Sequence, residues 1–224
     1  MNGLSFLAFT DRGESLARDL ARALGGEAMR SGKPETLREW TEKRFVSGGA
    51  LVFIGAVGIA VRAIAPYVDK KWKDPAVVAV DECGRFAIPL LSGHLGGANR
   101  LARAIAELCG ATPVVTTATD LHGLFAVDDW ARTQNLRVVE PERIRTVSAK
   151  VLAGGTLRLW SRFPIEGTPP DEVELLSAPP AGEESSAPSG ESSPAPDVFL
   201  CVHRENGEAL HLAPRAVGLG VGCR

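Results

Sequence analysis

Apolar residues in the first half of the chain fall into short unbroken runs, separated by stretches with helical spacing. Residues 4–10 read as a strand and Asp11-Arg12-Gly13 as its turn. From Glu14 to Leu24, residues Leu16, Ala17, Leu20, Ala23 and Leu24 recur on one helical face, and Gly25-Gly26 stops the run. Thr36 to Phe45 predicts a second helix. Ala50-Leu51-Val52-Phe53-Ile54 is apolar throughout, which suits a strand covered on both faces of a parallel sheet. Ala56 to Val68 predicts a helix. Val77–Val80, the polar turn Asp81–Arg85 and Phe86–Leu91 predict a hairpin that adds antiparallel strands beside the parallel core. Asn99 to Cys109 is helical in pattern and stops at Gly110. Val114–Thr117 reads as a strand, and Leu121 to Asn135 as mostly helix, with Asp120 as a candidate cap.

This alternation predicts an α/β fold: a layered domain with a mostly parallel sheet and helices on both faces, over residues 1–140. The pattern then restarts. Leu136–Val139 reads as a strand, Arg143–Leu152 as a helix, and Thr156–Trp160 alternates with period two, as in a half-buried strand. These pieces predict a small α/β module, beginning over residues 141–166. Residues 167–197 are rich in Pro, Ser and Glu and predict a flexible linker, since they lack the apolar surface to offset ordering. Val198–Val202 and Leu210–Leu212 read as companion strands joined as a hairpin, and residues 216–224 as a strand entering a glycine turn.

Composition narrows the function classes. With 25 Lys plus Arg against 27 Asp plus Glu, the net charge of -2 argues against a nucleic-acid partner. No run has the length of a membrane span, and the start lacks the basic front of a signal peptide. The four cysteines form no Cys-x-x-Cys pair and read as reduced thiols. A soluble cytoplasmic protein is expected. The histidines at 94, 122, 203 and 211 are too scattered to predict a metal site, although His203 and His211 could face each other across two strands.

The candidate chemistry lies in glycine-rich turns. In Ser92-Gly93-His94-Leu95-Gly96-Gly97-Ala98-Asn99 an apolar strand feeds a helix through a polar turn. Free N–H groups at such a helix start can hold a carboxylate or phosphate, and Gly93, Gly96 and Gly97 let a ligand approach the backbone. Ser92 and Asn99 add donors and acceptors, and His94 can move a proton near neutral pH. A tight turn with a merely hydrogen-bonded histidine is the structural alternative. Gly55-Ala56-Val57-Gly58, with Arg62 beyond it, and Thr116-Thr117-Ala118-Thr119-Asp120 repeat the strand-to-turn arrangement. If the strands run parallel, all three turns share the carboxyl edge of one sheet. Asp120 is then a base, a ligand acceptor or a helix cap. Asp81 and Glu82, with Arg85, could divide acid and base roles or simply solvate a turn. Lys70-Lys71-Trp72-Lys73 is a small basic patch, either a rim for a polyanion or ordinary surface. The dinucleotide, Walker A and nucleophile-elbow patterns are all absent.

Taken together, Gly55–Arg62, Val80–Phe86, Leu90–Asn99 and Thr116–Asp120 resemble the amino-terminal domain of the cobalt-precorrin-5A hydrolase family of anaerobic cobalamin biosynthesis. Trp160–Pro164 and Leu212–Pro214 continue the likeness through a middle region, and Gly218–Arg224 resembles the opening of that family's carboxy-terminal domain. The resemblance implies a cobalt-containing tetrapyrrole substrate whose δ-lactone is hydrolysed with loss of acetaldehyde. The cobalt is carried by the substrate, so no protein-bound cofactor or metal is expected. The catalytic candidates are His94, Asp120 and Glu82. Gly55, Gly58, Arg62, Asp81, Arg85, Ser92, Gly93, Gly96, Gly97, Asn99, Thr116, Thr117 and Thr119 are the substrate-binding candidates. A separately encoded carboxy-terminal domain and a second copy of the chain are the candidate protein partners. Two other classes stay open on the residues themselves: a non-catalytic tetrapyrrole-binding scaffold, and a carbohydrate- or phosphate-binding domain.

Overall fold

The computed structural model describes residues 3–32, 34–177, 195–202 and 208–215. They form two units, divided between Thr117 and Ala118. In the first, strands β1 (Leu4–Ala8), β2 (Glu27–Arg30), β3 (Ala50–Ile54), β4 (Val77–Val80), β5 (Phe86–Leu91) and β6 (Thr112–Pro113) make one sheet in the order β2-β1-β3-β4-β5-β6. The first four strands of that order are parallel; β5 runs antiparallel to β4, and β6 is parallel to β5.

Both faces are covered, which is why the strand sequences are apolar without alternation. On one face Phe6, Ala8, Val52, Ile54, Val78 and Val80 meet helices α1 (Asp11–Leu24) and α4 (Ala98–Cys109) through Ala17, Leu20, Ala102 and Ile105. On the other, Leu7, Leu51, Phe53, Val77 and Ala79 meet α2 (Leu37–Ser47) and α3 (Val57–Ile64) through Trp40, Phe45, Ala60 and Ile64.

Several local expectations are corrected. Asp11–Gly13 is the first turn of α1 rather than a loop, because the Thr10 hydroxyl accepts the Gly13 N–H and caps the helix 3.1 Å away. β2 was not predicted, since Glu-Ala-Met-Arg has no strand pattern; it is an edge strand held by the β1 ladder. The last strand of the sheet is Thr112–Pro113, and beyond it only the Val114 N–H reaches the Ala87 carbonyl, at 2.8 Å.

The second unit contains α5 (Ala118–His122), α6 (Val127–Thr133), β7 (Leu136–Val138), α7 (Ile144–Leu152), β8 (Leu157–Ser161), β9 (Val173–Leu176), β10 (Val198–Leu200) and β11 (Leu210–Pro214). Its sheet has the order β7-β11-β10-β8-β9. Leu136–Val138 pairs antiparallel with β11, so the first unit ends at Thr117 and not near residue 140. β10 and β11 do pair, but in parallel, with Val198 opposite Leu210; the hairpin expectation fails. Asp197 fixes that register: its carbonyl accepts the Leu210 N–H, and its carboxylate accepts the Arg158 N–H and Lys150 Nζ. Within the expected linker, Val173–Leu176 forms an edge strand on β8, since Val173 can be buried there. The remaining linker core, His203 and the expected strand over 216–224 lie outside the described residues.

Candidate functional site

The reversal at β5 decides where the predicted site residues lie. Val80 sits opposite Ala87, and Val77 opposite Leu91, so the end of β5 returns to the edge where β3 and β4 begin. The turns at Gly55–Arg62 and Asp81–Arg85 therefore occupy one edge of the sheet. Ser92–Gly97 and Thr116–Thr117 occupy the opposite edge. Strands of five or six residues separate them by roughly 17–20 Å. The expectation of one crevice shared by all three turns is thus corrected: Glu82 and His94 cannot act on the same atom.

At the carboxyl edge, α1 and α3 leave neighbouring strands for opposite faces, which makes the gap between β1 and β3 a topological switch point. The polar groups there are largely engaged in building the turns. Asp81 accepts three backbone N–H groups, from Cys83 at 2.9 Å, Arg85 at 2.8 Å and Phe86 at 2.7 Å. The left-handed Gly84 completes that turn. Thr10 donates its hydroxyl to Glu82 at 2.6 Å, which places a carboxylate beside the start of α1. Arg62 is exposed and donates to the Gly58 carbonyl at 3.0 Å, and Gly55 lies under the Phe9 ring.

The opposite edge has a different character. Ser92 is buried and adopts the left-handed region at φ 54°, a conformation that non-glycine residues rarely take. Its hydroxyl donates to the Asp74 carbonyl at 2.6 Å, with the Lys71 carbonyl at 3.3 Å. A Cβ on Gly96 would come within 2.5 Å of the Ser92 Cβ and 3.1 Å of the Ala76 nitrogen, so only glycine fits. Gly97, left-handed at φ 83°, caps α4. The first two N–H groups of α4, on Ala98 and Asn99, donate to the Ser92 and Gly93 carbonyls. They are not free for an anion, which corrects the expectation of a bare helix start. Asn99 is buried, packs against Gly93 and donates to the Thr117 hydroxyl at 2.8 Å, tying the turn to the segment after β6. His94 stands half-buried in this turn, and Thr116 is exposed. Thr119 and Asp120 belong to the second unit, where Asp120 is the third residue of α5 rather than the cap of a following helix. Among the described residues no three His, Cys, Asp or Glu side chains gather as a metal site, and no helix is long and apolar enough to cross a membrane.

Residues 39–120, which include every candidate site residue, match the family model described as Cobalamin synthesis G N-terminal. A cobalt-precorrin-5A hydrolase from Salmonella typhimurium is 34% identical over an alignment taking in 99% of this chain and 66% of the relative. The chain belongs to the cobalt-precorrin-5A hydrolase family. It corresponds to that family's amino-terminal and middle regions. A second family member, from Priestia megaterium, is 41% identical over 80% of this chain and 50% of its own length. The chain therefore spans about half to two thirds of the relatives' lengths. The crystal structure of a cobalamin biosynthesis protein G homologue from Sulfolobus solfataricus shares the fold. Its TM-score is 0.57 at 18% identity, over 95% of this chain and 60% of the other.

Three pairings, two at these edges and one within the second unit, carried no local sequence signal. Thr10 bonds Glu82 across 72 residues, Asp74 presents its carbonyl to Ser92 across 18, and Cys201 lies 3.4 Å from the buried His211 ring in the second unit. Each pairing is made by sheet topology, which periodicity alone does not disclose.

Proposed function

We propose that the chain binds cobalt-precorrin-5A at the Ser92–Gly97 edge and takes part, in the cytoplasm, in hydrolysing its δ-lactone with release of acetaldehyde. The observation that carries this reading is the Ser92 turn. A buried serine held in a left-handed conformation, two conformationally demanding glycines and a half-buried histidine lie together within the Ser92–Gly97 turn. The opposite edge supports it less, because Asp81 is engaged by three N–H groups of its own turn and Glu82 by the Thr10 hydroxyl.

The chemistry asks for a group that takes a proton from water as it adds to the lactone carbonyl. The ring oxygen then leaves as a hydroxyl and a carboxylate remains. Deprotonation of the hydroxyl on the two-carbon fragment next releases acetaldehyde, and the carbanion left on the macrocycle is reprotonated. His94 is the proton-transfer residue in this reading, and the donors around Asn99 and Thr117 orient the ring. Cobalt travels with the substrate. The test is to incubate the purified chain, alone and with the carboxy-terminal region of the Salmonella relative, with cobalt-precorrin-5A. Acetaldehyde and the ring product are then quantified by mass spectrometry. Equimolar appearance of the two supports the proposal; unchanged substrate in both mixtures refutes it.

A further inference from the structure

We propose that the Lys70–Lys73 turn, with Trp72 at its tip, is a subsite that grips the carboxylate-fringed rim of a cobalt corrinoid beside the Ser92 turn. The inference rests on the reading that this edge binds the macrocycle, and it names the side chains that recognise the ring's periphery.

The base of the turn is rigid and its tip is open. The Lys73 and Asp74 N–H groups both donate to the Lys70 carbonyl, at 2.8 and 2.9 Å, which closes the turn on itself. Asp74 is buried, and its carboxylate accepts the Asp69 N–H at 3.1 Å. Ser92 then fastens the turn to the glycine segment through the Asp74 and Lys71 carbonyls. The unusual backbone of Ser92 thus has a structural consequence: it holds the basic turn against the His94 turn.

At the tip, Trp72 keeps 42% of its surface in water, and Lys70 places Nζ 5.9 Å from the centre of its ring. Lys71 and Lys73 are exposed alongside, with Asp69 3.9 Å from Lys73 as the local counter-charge. An indole face held on a fixed turn offers stacking area with little conformational cost, and lysine ammonium groups pair with carboxylates as mobile point charges. A planar metallated macrocycle bearing peripheral carboxylates presents both features together.

The probe is cobyrinic acid, a cobalt corrinoid polycarboxylic acid, with its heptamethyl ester as control, measured by titration calorimetry. Trp72→Ala should weaken binding of the acid roughly tenfold, and the double change Lys70→Gln with Lys73→Gln by a similar factor. The ester should bind more weakly than the acid and should not respond to the lysine changes. All three side chains are exposed, so thermal midpoints should not move. Tight binding by the unaltered chain that none of these variants weakens overturns the subsite and leaves ring binding at this edge standing. Equal affinity for acid and ester also overturns it. No binding of either probe overturns both subsite and ring binding. Binding that the variants weaken, from a chain that yields no acetaldehyde, leaves the subsite intact and removes only the hydrolysis.

Discussion

Gly96 and Ser92 are a matched pair: the turn closes because one lacks a Cβ and the other accepts a left-handed backbone. Gly96→Ala is expected to cost about 1–3 kcal/mol, because the added Cβ meets the Ser92 Cβ and carbonyl, which cannot swing aside. Urea denaturation of the variant checks this. Ser92→Ala keeps the Cβ but removes the hydroxyl from two carbonyls, at a cost of about 1 kcal/mol. At this scale the sequence was legible in residue type and not in residue use. Asp81 stood out as a carboxylate in a polar turn, yet nothing local showed that three N–H groups already claim it. The glycines around His94 were legible as a close-approach turn, while the reason Gly96 must be glycine, the Ser92 Cβ and carbonyl 2.5 and 2.8 Å away, depends on a left-handed backbone at Ser92 that the sequence does not disclose.

Helix α2 shows how an element's charge arrangement sets its own pH response. Its Thr36–Glu39 capping box satisfies donors at the helix start, and the N–H of Thr36 holds the Glu39 carboxyl below its ordinary range. Buried Arg44 lies 4.9 Å from the Trp40 ring centre and donates to Glu27 and Glu35; its hydrogen bond holds the Glu35 carboxyl below its ordinary range. A carboxyl depressed in the folded state contributes stability that is present above its unfolded pKa and is lost as pH falls through the folded value. Glu35→Gln should therefore lower the urea midpoint at pH 7, with the difference from the unaltered chain shrinking toward zero below about pH 4. A midpoint difference that persists undiminished in acid would contradict the role given to Arg44. Elements with a strong apolar period, such as α1 and α4, or an unbroken apolar run, such as β3, were legible in the sequence. β2 and β9 were not, because an edge strand takes its hydrogen bonds from a neighbour and needs little pattern of its own.

For the molecule as a whole, the direction of β5 matters more than any single side chain. A mostly parallel sheet with one hairpin was predictable, yet the functional consequence of that hairpin was missed: it carries His94 to the edge opposite Glu82. The division at Thr117 has its own consequence. Residues 1–117 contain both covered faces of the first sheet, and as an isolated fragment they should unfold in one cooperative transition by circular dichroism. A broad, non-cooperative melt would show that the first unit depends on the rest of the chain.

If chemistry occurs at the Ser92 edge, single-turnover acetaldehyde release at saturating cobalt-precorrin-5A depends on His94. The assay compares His94→Gln and Glu82→Gln with the unaltered chain, each supplied with the family's carboxy-terminal region. His94→Gln should slow release by about 100-fold or more while still binding substrate, and Glu82→Gln should stay within a few-fold of the original rate. The reverse ranking, with His94→Gln near normal and Glu82→Gln inactive though folded, would rule out the Ser92 edge and move the site to the switch point between β1 and β3.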